Sequence, residues 1–325
     1  MVRSAASQKE RQIRVGRLRA SALVGVIMAK KIGFVGVGLM GHGMAKNLLA
    51  KGFAVTVMAH KNRKPIEDLL TQGAAEAKTP RAIAEASDVV ILCVTGAPQV
   101  EQVVYGDNGV LGAFKKGMVL LDCSTSEPAM SERVAKDLSA LGAAYADAPL
   151  ARSPADAEAG KLNTMVGADE SVFGEIRPVL EAFCENIFYM GGVGAGARTK
   201  LIYNLITMGH AALIAEALCA CAATGVDLAK FAKVVGGGGA NSGIFQLIVP
   251  KILENNDFGG LKFSLANAAK DLRYYNRMVA DVPLTAPMGP SVLNSLVSAL
   301  AGNPDGLVGH MVEAHCKLNG VELKK

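Results

Sequence analysis

The sequence predicts an α/β fold: an N-terminal domain built on a parallel sheet, followed by an all-α C-terminal domain that a long helix joins to it. Short β-branched or apolar runs alternate with longer amphipathic stretches from Lys31 to about Ala148. This alternation is typical of parallel strands joined by crossover helices. A glycine-rich run at 191–196 interrupts the pattern, and the apolar-periodic segments after it show no strand-like alternation.

The individual elements follow from these patterns. The strand-like runs are KIGFVGVG, FAVTVMA, DVVILCVT, MVLLDCST and AAYADAPL, with a further pair expected at 163–166 and around 186–190. Helices are expected at 197–224, 227–235, 244–254, 261–280 and 288–300. We therefore predict a disordered extension over 1–27, a first domain over 28–190 and a second over 191–325.

The excess positive charge is confined to the start of the chain. The formal net charge is +5, and residues 1–27 carry six basic side chains against Glu10 alone. The remainder is neutral and has no basic cluster interleaved with aromatic residues, so no nucleic-acid partner is expected.

One apolar stretch, Leu201–Val226, is long enough to span a bilayer and has Glu216 as its only formal charge. Lys200 and His210 mark polar positions along it, so we predict a helix buried on most sides and no membrane association. The six cysteines include no CxxC pair, and several lie in apolar runs. This pattern is typical of reduced thiols in the cytoplasm, without a metal site.

A glycine fingerprint follows the first strand. Gly36, Gly38 and Gly41 form a GxGxxG motif that ends a strand pattern and opens a helix, with Leu39 and Met40 inside it. The first glycine permits a tight turn, the second lets the backbone approach a pyrophosphate, and the third lets helix and strand pack closely. The motif predicts a Rossmann-type dinucleotide site.

The second strand ends in cations where an NAD site normally has a carboxylate. His60, Lys61, Arg63 and Lys64 lie there, with no acid among them. They favour NADP over NAD, because a 2′-phosphate would find cationic partners. Alternatively, these cations are turn residues that only face solvent, and NAD would then be the cofactor.

The spacing GxGxxxKxxxN places Lys200 and Asn204 on one face of the first helix after the glycine-rich run. A partly desolvated lysine beside a carbonyl can give or take a proton near neutral pH. A surface lysine is the alternative for this motif taken alone.

With these motifs in order, the sequence resembles the β-hydroxyacid dehydrogenase family from Lys30 to about Lys317. The resemblance is carried by GVGLMG at 36–41, DCST at 122–125, DAP at 147–149 with AEAG at 157–160, GxGxxxKxxxN at 194–204 and KDL at 270–272. The family includes 3-hydroxyisobutyrate dehydrogenases, tartronate semialdehyde reductases and sulfolactaldehyde reductases.

The resemblance implies NAD(P)-dependent hydride transfer to or from a small aldehyde or hydroxy acid that carries an anionic group. Lys200 would be the general acid or base, and Asn204 would orient the substrate. Ser124, Thr125 and the loop after Pro149 would hold the substrate and the nicotinamide. The other residues implied to bind the cofactor or close the site are Val94, Thr95, Phe263 and Lys270.

The loop after Pro149 departs from the usual family pattern DAPVSGG, because Leu150-Ala151-Arg152-Ser153 stands there and an arginine replaces a glycine. Sulfolactaldehyde reductases are similar in having an arginine here. We therefore expect Arg152 and Ser153 to bind a substrate oxyanion, which can be a sulfonate, a carboxylate or a phosphate. An arginine in solvent or paired with Asp156 is the alternative.

Other functions remain as alternatives. A 6-phosphogluconate dehydrogenase would show a histidine before the helix asparagine, where this chain has Tyr203. Imine reductases usually lack the lysine that this chain keeps. A catalytically silent NADP-binding module is the alternative from another class. The apolar helical domain also predicts a partner surface, as in a homodimer or homotetramer.

Overall fold

The computed structural model describes residues 30–323, so the predicted extension over 1–27 lies outside the described residues. The chain divides into two compact units. The first runs to Ser124 and resumes from Ala129 to Gly196, and the second comprises Thr125–Pro128 and everything from Ala197 onward. The division thus falls after Gly196 rather than after residue 190, and a short segment beyond the fifth strand groups with the helical unit.

The first unit alternates strands and helices. Its strands are β1 Lys31–Val35, β2 Ala54–Val57, β3 Ala75–Glu76, β4 Val89–Leu92, β5 Val119–Asp122, β6 Ala144–Asp147, β7 Leu150–Ala151, β8 Leu162–Gly167 and β9 Cys184–Gly191. Its helices are α1 Gly41–Ala50, α2 Lys64–Thr71, α3 Pro80–Glu85, α4 Ala97–Tyr105, α5 Pro128–Ala140, α6 Pro154–Glu158 and α7 Glu170–Leu180, with a 3₁₀ turn at Leu111–Ala113.

These strands form one sheet in the order β3-β2-β1-β4-β5-β6-β8-β7, and β9 pairs with β8. The strands from β1 to β6 pair with one another in parallel, in the order that is typical of dinucleotide-binding domains. The strand β8 runs antiparallel to β6 and β7, and it pairs in parallel with β9. The prediction of a parallel sheet is confirmed, with β8 as its antiparallel addition.

The sheet is buried on both faces because its residues alternate between two cores. Ile32, Phe34 and Ile91 belong to one apolar cluster, while Val35 and Leu92 belong to the other. Strands covered by helices on both sides read as continuous apolar runs, which is why β4 and β5 contain hardly any polar residue.

The second unit is helical, as predicted. Its elements are α8 Ala195–Thr224, whose first residues lie in the first unit, α9 Leu228–Gly236, α10 Gly243–Asn255, α11 Leu265–Ala280, α12 Met288–Gly302, a 3₁₀ turn Val308–His310 and α13 Met311–Leu318. Ser242 and Ser264 cap α10 and α11 by accepting hydrogen bonds from Phe245 N and Asn267 N. The short helix α13 was not among the predicted elements.

The long helix α8 differs from its prediction. By length and composition alone this helix could cross a membrane. The core helix of a soluble protein can have the same length and composition, so this is weak evidence. We expected burial on most sides, but only 33% of its most apolar window is buried within the chain. Ile206 and Leu213 are 56% and 60% exposed. The helix is apolar all round, although the described chain covers only part of its surface.

Candidate active site

The glycine fingerprint has the geometry that its sequence predicts. Gly36 has φ +103°, and a Cβ there would lie 2.2 Å from the carbonyl oxygen of Cys93. A Cβ on Gly41 would lie 2.1 Å from Gly36 O, whereas a Cβ on Gly38 would meet no atom within 4 Å. The first and third glycines are therefore required by close packing. The second leaves the backbone open to a ligand.

The helix that this loop opens is suited to a phosphate. Met40 precedes α1 without capping it through its side chain, and the first turn of α1 contains no acidic residue. The N–H groups of a helix N-terminus carry partial positive charge, which favours an anion. Leu39 within the loop is 82% exposed. These features fit the pyrophosphate of a dinucleotide.

The cations after β2 are exposed, and one of them has an acidic partner. His60, Lys61 and Arg63 all lie at the surface. Arg63 donates from Nη1 and Nη2 to the Glu76 carboxylate at 3.0 and 3.2 Å. Glu76 ends β3 and pairs in register with Val57 of β2, so the fold brings an acid to a place where the local sequence has none.

The carboxyl ends of β4 and β5 are joined through Ser124. Val94 N donates to Ser124 Oγ at 3.0 Å, and Ser124 N donates to Asp122 Oδ1 at 2.9 Å. Burial raises the pKa of Asp122 to about 6, against the opposing effect of its hydrogen bonds with Ser124. Thr95 follows Val94 at the same edge. Ligands of open α/β sheets bind at the carboxyl ends of the strands, which is where these predicted residues lie.

The loop after Pro149 holds Arg152 in an unusual conformation. Arg152 has φ +84°, a region that glycine adopts without strain and other residues rarely do. Its Nη1 donates to the carbonyl oxygen of Lys161 at 2.7 Å and lies 2.6 Å from Glu185 Oε2. These contacts use one nitrogen of the guanidinium, which has five N–H donors in all. The partner is Glu185 rather than Asp156.

Ser153 has a structural role in the same loop. Its hydroxyl donates to Asp156 Oδ2 at 2.5 Å and accepts from Asp156 N at 3.3 Å, which forms a capping box at the start of α6. The side chain predicted to bind substrate is thus engaged with α6. Its substrate role stays a prediction.

Two glycines prepare the start of α8. Gly194 has φ +84°, and its N–H donates to Asp147 Oδ1 at 2.7 Å. A Cβ on Gly196 would lie 2.3 Å from the carbonyl oxygen of Met165, so this position excludes any side chain. The GxG of the motif therefore fixes the backbone a turn before Lys200.

Lys200 is a buried amine. The residue is 8% exposed, and its Nζ lies 5.1 Å from the centre of the Tyr203 ring. Burial lowers the pKa of Lys200 to about 8, because desolvation disfavours the ammonium more than the nearby Asp271 favours it; Lys270 lowers it further. Asn204 is also buried, and its Nδ2 donates to Asp271 Oδ2 at 2.6 Å.

Asp271 connects this pair to Lys270. Lys270 Nζ lies 2.9 Å from Asp271 Oδ1 and donates to the carbonyl oxygen of Thr125 at 3.2 Å. Thr125 belongs to the segment that groups with the helical unit. The structure thus brings together four predicted or motif residues of this unit: Lys200, Asn204, Lys270 and Thr125. Phe263 precedes α11, and its side chain is half-buried.

Comparison with known proteins gives this geometry a family. Residues 31–191 match the model of the NAD binding domain of 6-phosphogluconate dehydrogenase. Residues 194–308 match that of the NAD-binding domain of NADP-dependent 3-hydroxyisobutyrate dehydrogenase. The chain is 32% identical to 2-hydroxy-3-oxopropionate reductase of Escherichia coli K12, over 86% of this chain and 94% of that protein. The chain belongs to the β-hydroxyacid dehydrogenase family.

Solved structures agree with this assignment. The 3-hydroxyisobutyrate dehydrogenase of Mycobacterium tuberculosis matches with a TM-score of 0.79 and 29% identity, over 87% of this chain and 98% of that chain. Psf3, solved in complex with NADP⁺ and 2-OPP, matches with a TM-score of 0.76 and 25% identity, over 88% of this chain and 99% of that chain. Imine reductases also match, at 17–21% identity, which shows the fold alone.

As a member of the β-hydroxyacid dehydrogenase family, the protein is an NAD(P)-dependent oxidoreductase that acts on CH–OH groups. This assignment confirms the main prediction over an imine reductase or a silent binding module.

Asp271 is the site residue that sequence reasoning missed as a candidate. It was quoted within the KDL motif without a role, yet it is 2% exposed and contacts both Asn204 and Lys270. The sequence contains a signal: Asp271 lies between the apolar residues Ala268 and Leu272 on a predicted helix, and the structure buries both of them fully. A buried carboxylate needs partners, so its position pointed to the cations and amides of the site.

Proposed function

We propose that the protein interconverts a short hydroxy acid and its semialdehyde, with Lys200 as the general acid or base. The observation that carries this proposal is the buried Lys200 amine, whose pKa burial lowers to about 8. A lysine with a pKa this close to neutrality exists in both protonation states under working conditions. A purely structural lysine would normally lie at the surface, because burial disfavours its charged form.

The dinucleotide fits the first unit, where Gly36, Gly38 and Gly41 form the phosphate loop and Val94 and Thr95 lie at the carboxyl edge of the sheet. Its nicotinamide supplies the hydride in reduction and accepts it in oxidation. The chain's own residues then manage the proton. In reduction, Lys200 Nζ donates a proton to the carbonyl oxygen, and in oxidation the neutral amine takes the proton from the hydroxyl.

Asp271 acts on both Asn204 and Lys200. The Asn204 amide nitrogen is committed to Asp271, which fixes the amide plane one turn from Lys200. Its carbonyl oxygen is then the atom that can accept a hydrogen bond from a substrate hydroxyl. The Asp271 charge favours the ammonium and keeps the Lys200 pKa from falling further.

The substrate class rests on two supports. Relatives are named for small hydroxy acids or their oxo forms, such as 2-hydroxy-3-oxopropionate. The Leu150–Ser153 loop offers the Arg152 guanidinium and backbone N–H groups to an anion, and Ser124 after β5 offers a hydroxyl. We therefore propose that a carboxylate, sulfonate or phosphate binds there. We also propose that Lys270 contacts the cofactor and that Phe263 helps to close the site.

NADP is the proposed cofactor in preference to NAD. His60, Lys61 and Arg63 are exposed at the end of β2, where a 2′-phosphate would bring negative charge. The Glu76 contact with Arg63 reduces the net positive charge there without removing it.

The partner surface and compartment are also proposals. Ile202, Ile206 and Leu213 are exposed along α8, which favours a second copy of the chain as the cover, in a homodimer or homotetramer. Light scattering of the purified protein tests this, and Leu213→Glu should shift the mass toward the monomer. All six cysteines are free thiols, which is consistent with the reducing cytoplasm.

The function is tested with purified protein, NADPH or NADH, and a panel of short aldehydes with and without an anionic group. We expect turnover with an anionic semialdehyde and much slower turnover with an uncharged aldehyde of similar size. Binding of NADPH without turnover across the panel would overturn the proposed substrate class.

A further inference from the structure

His42 lies between two carboxylates beside the phosphate loop. It is the second residue of α1, and its Nδ1 lies 2.5 Å from Glu158 Oε1 on α6. Its Nε2 lies 2.8 Å from Asp68 Oδ2 on α2. Lys46, one turn further along α1, donates to the other Glu158 oxygen at 3.0 Å. Three helices of the first unit therefore meet at one imidazole.

This arrangement selects one protonation state. Both ring nitrogens face carboxylate oxygens, and only the imidazolium carries an N–H on each. Burial acts to lower the pKa of His42, but the hydrogen bonds and charges of Glu158 and Asp68 outweigh it and raise the pKa above its usual value. A neutral ring would leave one nitrogen lone pair facing a carboxylate, so deprotonation should break one of the two contacts.

His42 connects α1 to α6 through its contact with Glu158. The two helices pack closely, since a Cβ on Gly43 would lie 2.5 Å from the carbonyl carbon of Ala157. Asn47 Nδ2 donates to Ala157 O at 3.0 Å. The helix α6 begins directly after Arg152 and Ser153, so anything that holds α6 also holds the end of that loop.

We propose that His42, as the imidazolium, is a positioning residue that fixes the Leu150–Ser153 loop against the dinucleotide-binding helix and makes turnover depend on pH. This inference rests on the proposed function, in which that loop meets the substrate. The charged groups that face the ring are, by element, Lys46 on α1, Asp68 on α2 and Glu158 on α6. The strand β2 beneath α1 contributes none.

The direct test compares the pH profiles of the wild type and His42→Gln. Glutamine keeps one donor group but cannot titrate. Below the His42 pKa we expect kcat/KM for the substrate to be roughly three- to tenfold lower in the variant, as one partly exposed charged contact is lost. The cofactor dissociation constant should change less than twofold, because the glycine loop is untouched. Above the pKa the two proteins should converge.

The ratio of the two profiles isolates His42. The proton transfer by Lys200 affects both proteins equally, so it cancels in the ratio of wild-type kcat/KM to His42→Gln kcat/KM. As pH rises, this ratio should fall to one, with a midpoint equal to the His42 pKa measured by NMR of the ring. A ratio that is the same at every pH would overturn the proposal, because a purely structural contact would give that result. Thermal melting of both proteins checks that His42→Gln is folded.

A second variant is expected to shift the midpoint through a substitution on α2, with the residues of α1 and of the loop unchanged. Asp68→Asn removes one of the two charges that favour the imidazolium, so the midpoint should shift to lower pH. The matched control is Glu85→Gln, which neutralises an exposed carboxylate paired with Arg81 on α3 and should leave the midpoint unchanged. An unshifted midpoint in Asp68→Asn contradicts the proposal.

Failure of this inference can be separated from failure of the proposed function. If Lys200→Ala is inactive and the ratio is flat, only the role of His42 is wrong. If Lys200→Ala retains full activity, the proposed chemistry is wrong whatever the ratio shows.

Discussion

Asn204 and Asp271 are joined by a hydrogen bond of 2.6 Å from amide nitrogen to carboxylate oxygen, although 67 residues separate them. Both side chains are buried, and Asn204 lies one helical turn beyond Lys200. The contact therefore anchors the side of α8 that carries Asn204 to α11. It also fixes a negative charge close enough to Lys200 to raise its pKa against the effect of burial.

Asp271→Asn should shift the pH dependence of the reaction. Loss of the carboxylate removes the interaction that favours the ammonium, so the Lys200 pKa should fall below that of the wild type. In the direction of reduction, which needs the protonated lysine, the decline of kcat with rising pH should begin at a lower pH. Asp281→Asn, at the exposed end of α11, is the matched control. An identical profile in Asp271→Asn would show that the carboxylate does not act on Lys200.

Lys200→Ala should lower kcat by roughly 10²- to 10⁴-fold, the usual contribution of a positioned acid or base. The dissociation constant of NADPH, measured by its fluorescence, should stay nearly unchanged because the phosphate loop lies in the other unit. Lys230→Ala removes an exposed lysine of the same unit and should leave kcat at the wild-type value. Retention of more than about a tenth of kcat in Lys200→Ala excludes the proposed role.

The wild-type enzyme should show opposite pH trends in its two directions. The Lys200 pKa lies at about 8, below the ordinary value of 10.5. Reduction needs the ammonium, so its kcat should fall as pH rises through about 8. Oxidation needs the neutral amine, so its kcat should rise over the same interval. Initial rates in both directions, followed at the NADPH absorbance band, check this, and parallel trends would contradict it.

Lys61, Arg63 and Lys64 replaced together by alanine should weaken the preference for NADPH. Each charge-assisted contact to a 2′-phosphate is worth about 1–3 kcal/mol when well formed. Because these side chains are exposed, we expect kcat/KM for NADPH to fall by roughly tenfold. The value for NADH should change little. Glu76→Gln, which removes the acidic partner of Arg63, should strengthen the preference. Equal kcat/KM for both cofactors in the wild type would show that the cations only face solvent.

Local patterns in the sequence predicted most of the fold. The alternation of apolar and amphipathic runs predicted β1, β2, β4, β5 and β6 but not the two-residue strand β3. The glycine spacing predicted a turn in which Gly36 and Gly41 exclude a side chain. These features depend on residues close together in the chain. The strand β8 was predicted at 163–166, but its antiparallel direction was not, because the direction of a strand depends on where its connection returns, which periodicity does not encode.

The site was less predictable because its partners come from distant segments. Lys200 and Asn204 share a helix face and could be paired from spacing, but Asp271 reaches them only after α8 and α11 pack. Glu76 reaches Arg63 in the same way, through the register of β2 and β3. The burial of α8 was overestimated because a uniformly apolar composition is typical of a buried helix, whereas only 33% of its most apolar window is covered within the described chain.

Arg152 gives the last prediction, since it distinguishes this chain from the commoner family pattern. Its Nη1 is held by Lys161 O and Glu185, which orients the guanidinium while the remaining donors are suited to an oxyanion. Arg152→Gly should lower kcat/KM for an anionic aldehyde by roughly ten- to a hundredfold, with little effect on an uncharged aldehyde of similar size. Because φ is +84°, glycine should relieve backbone strain, so the melting temperature should not fall by more than the lost ion pair explains.

Glu185→Gln separates the two roles of the arginine. If Arg152 binds substrate, this variant frees the guanidinium and should retain or raise kcat/KM for the anionic aldehyde. If Arg152 only supports the loop, Glu185→Gln should lower the rate with both aldehydes, as Arg152→Gly then also would.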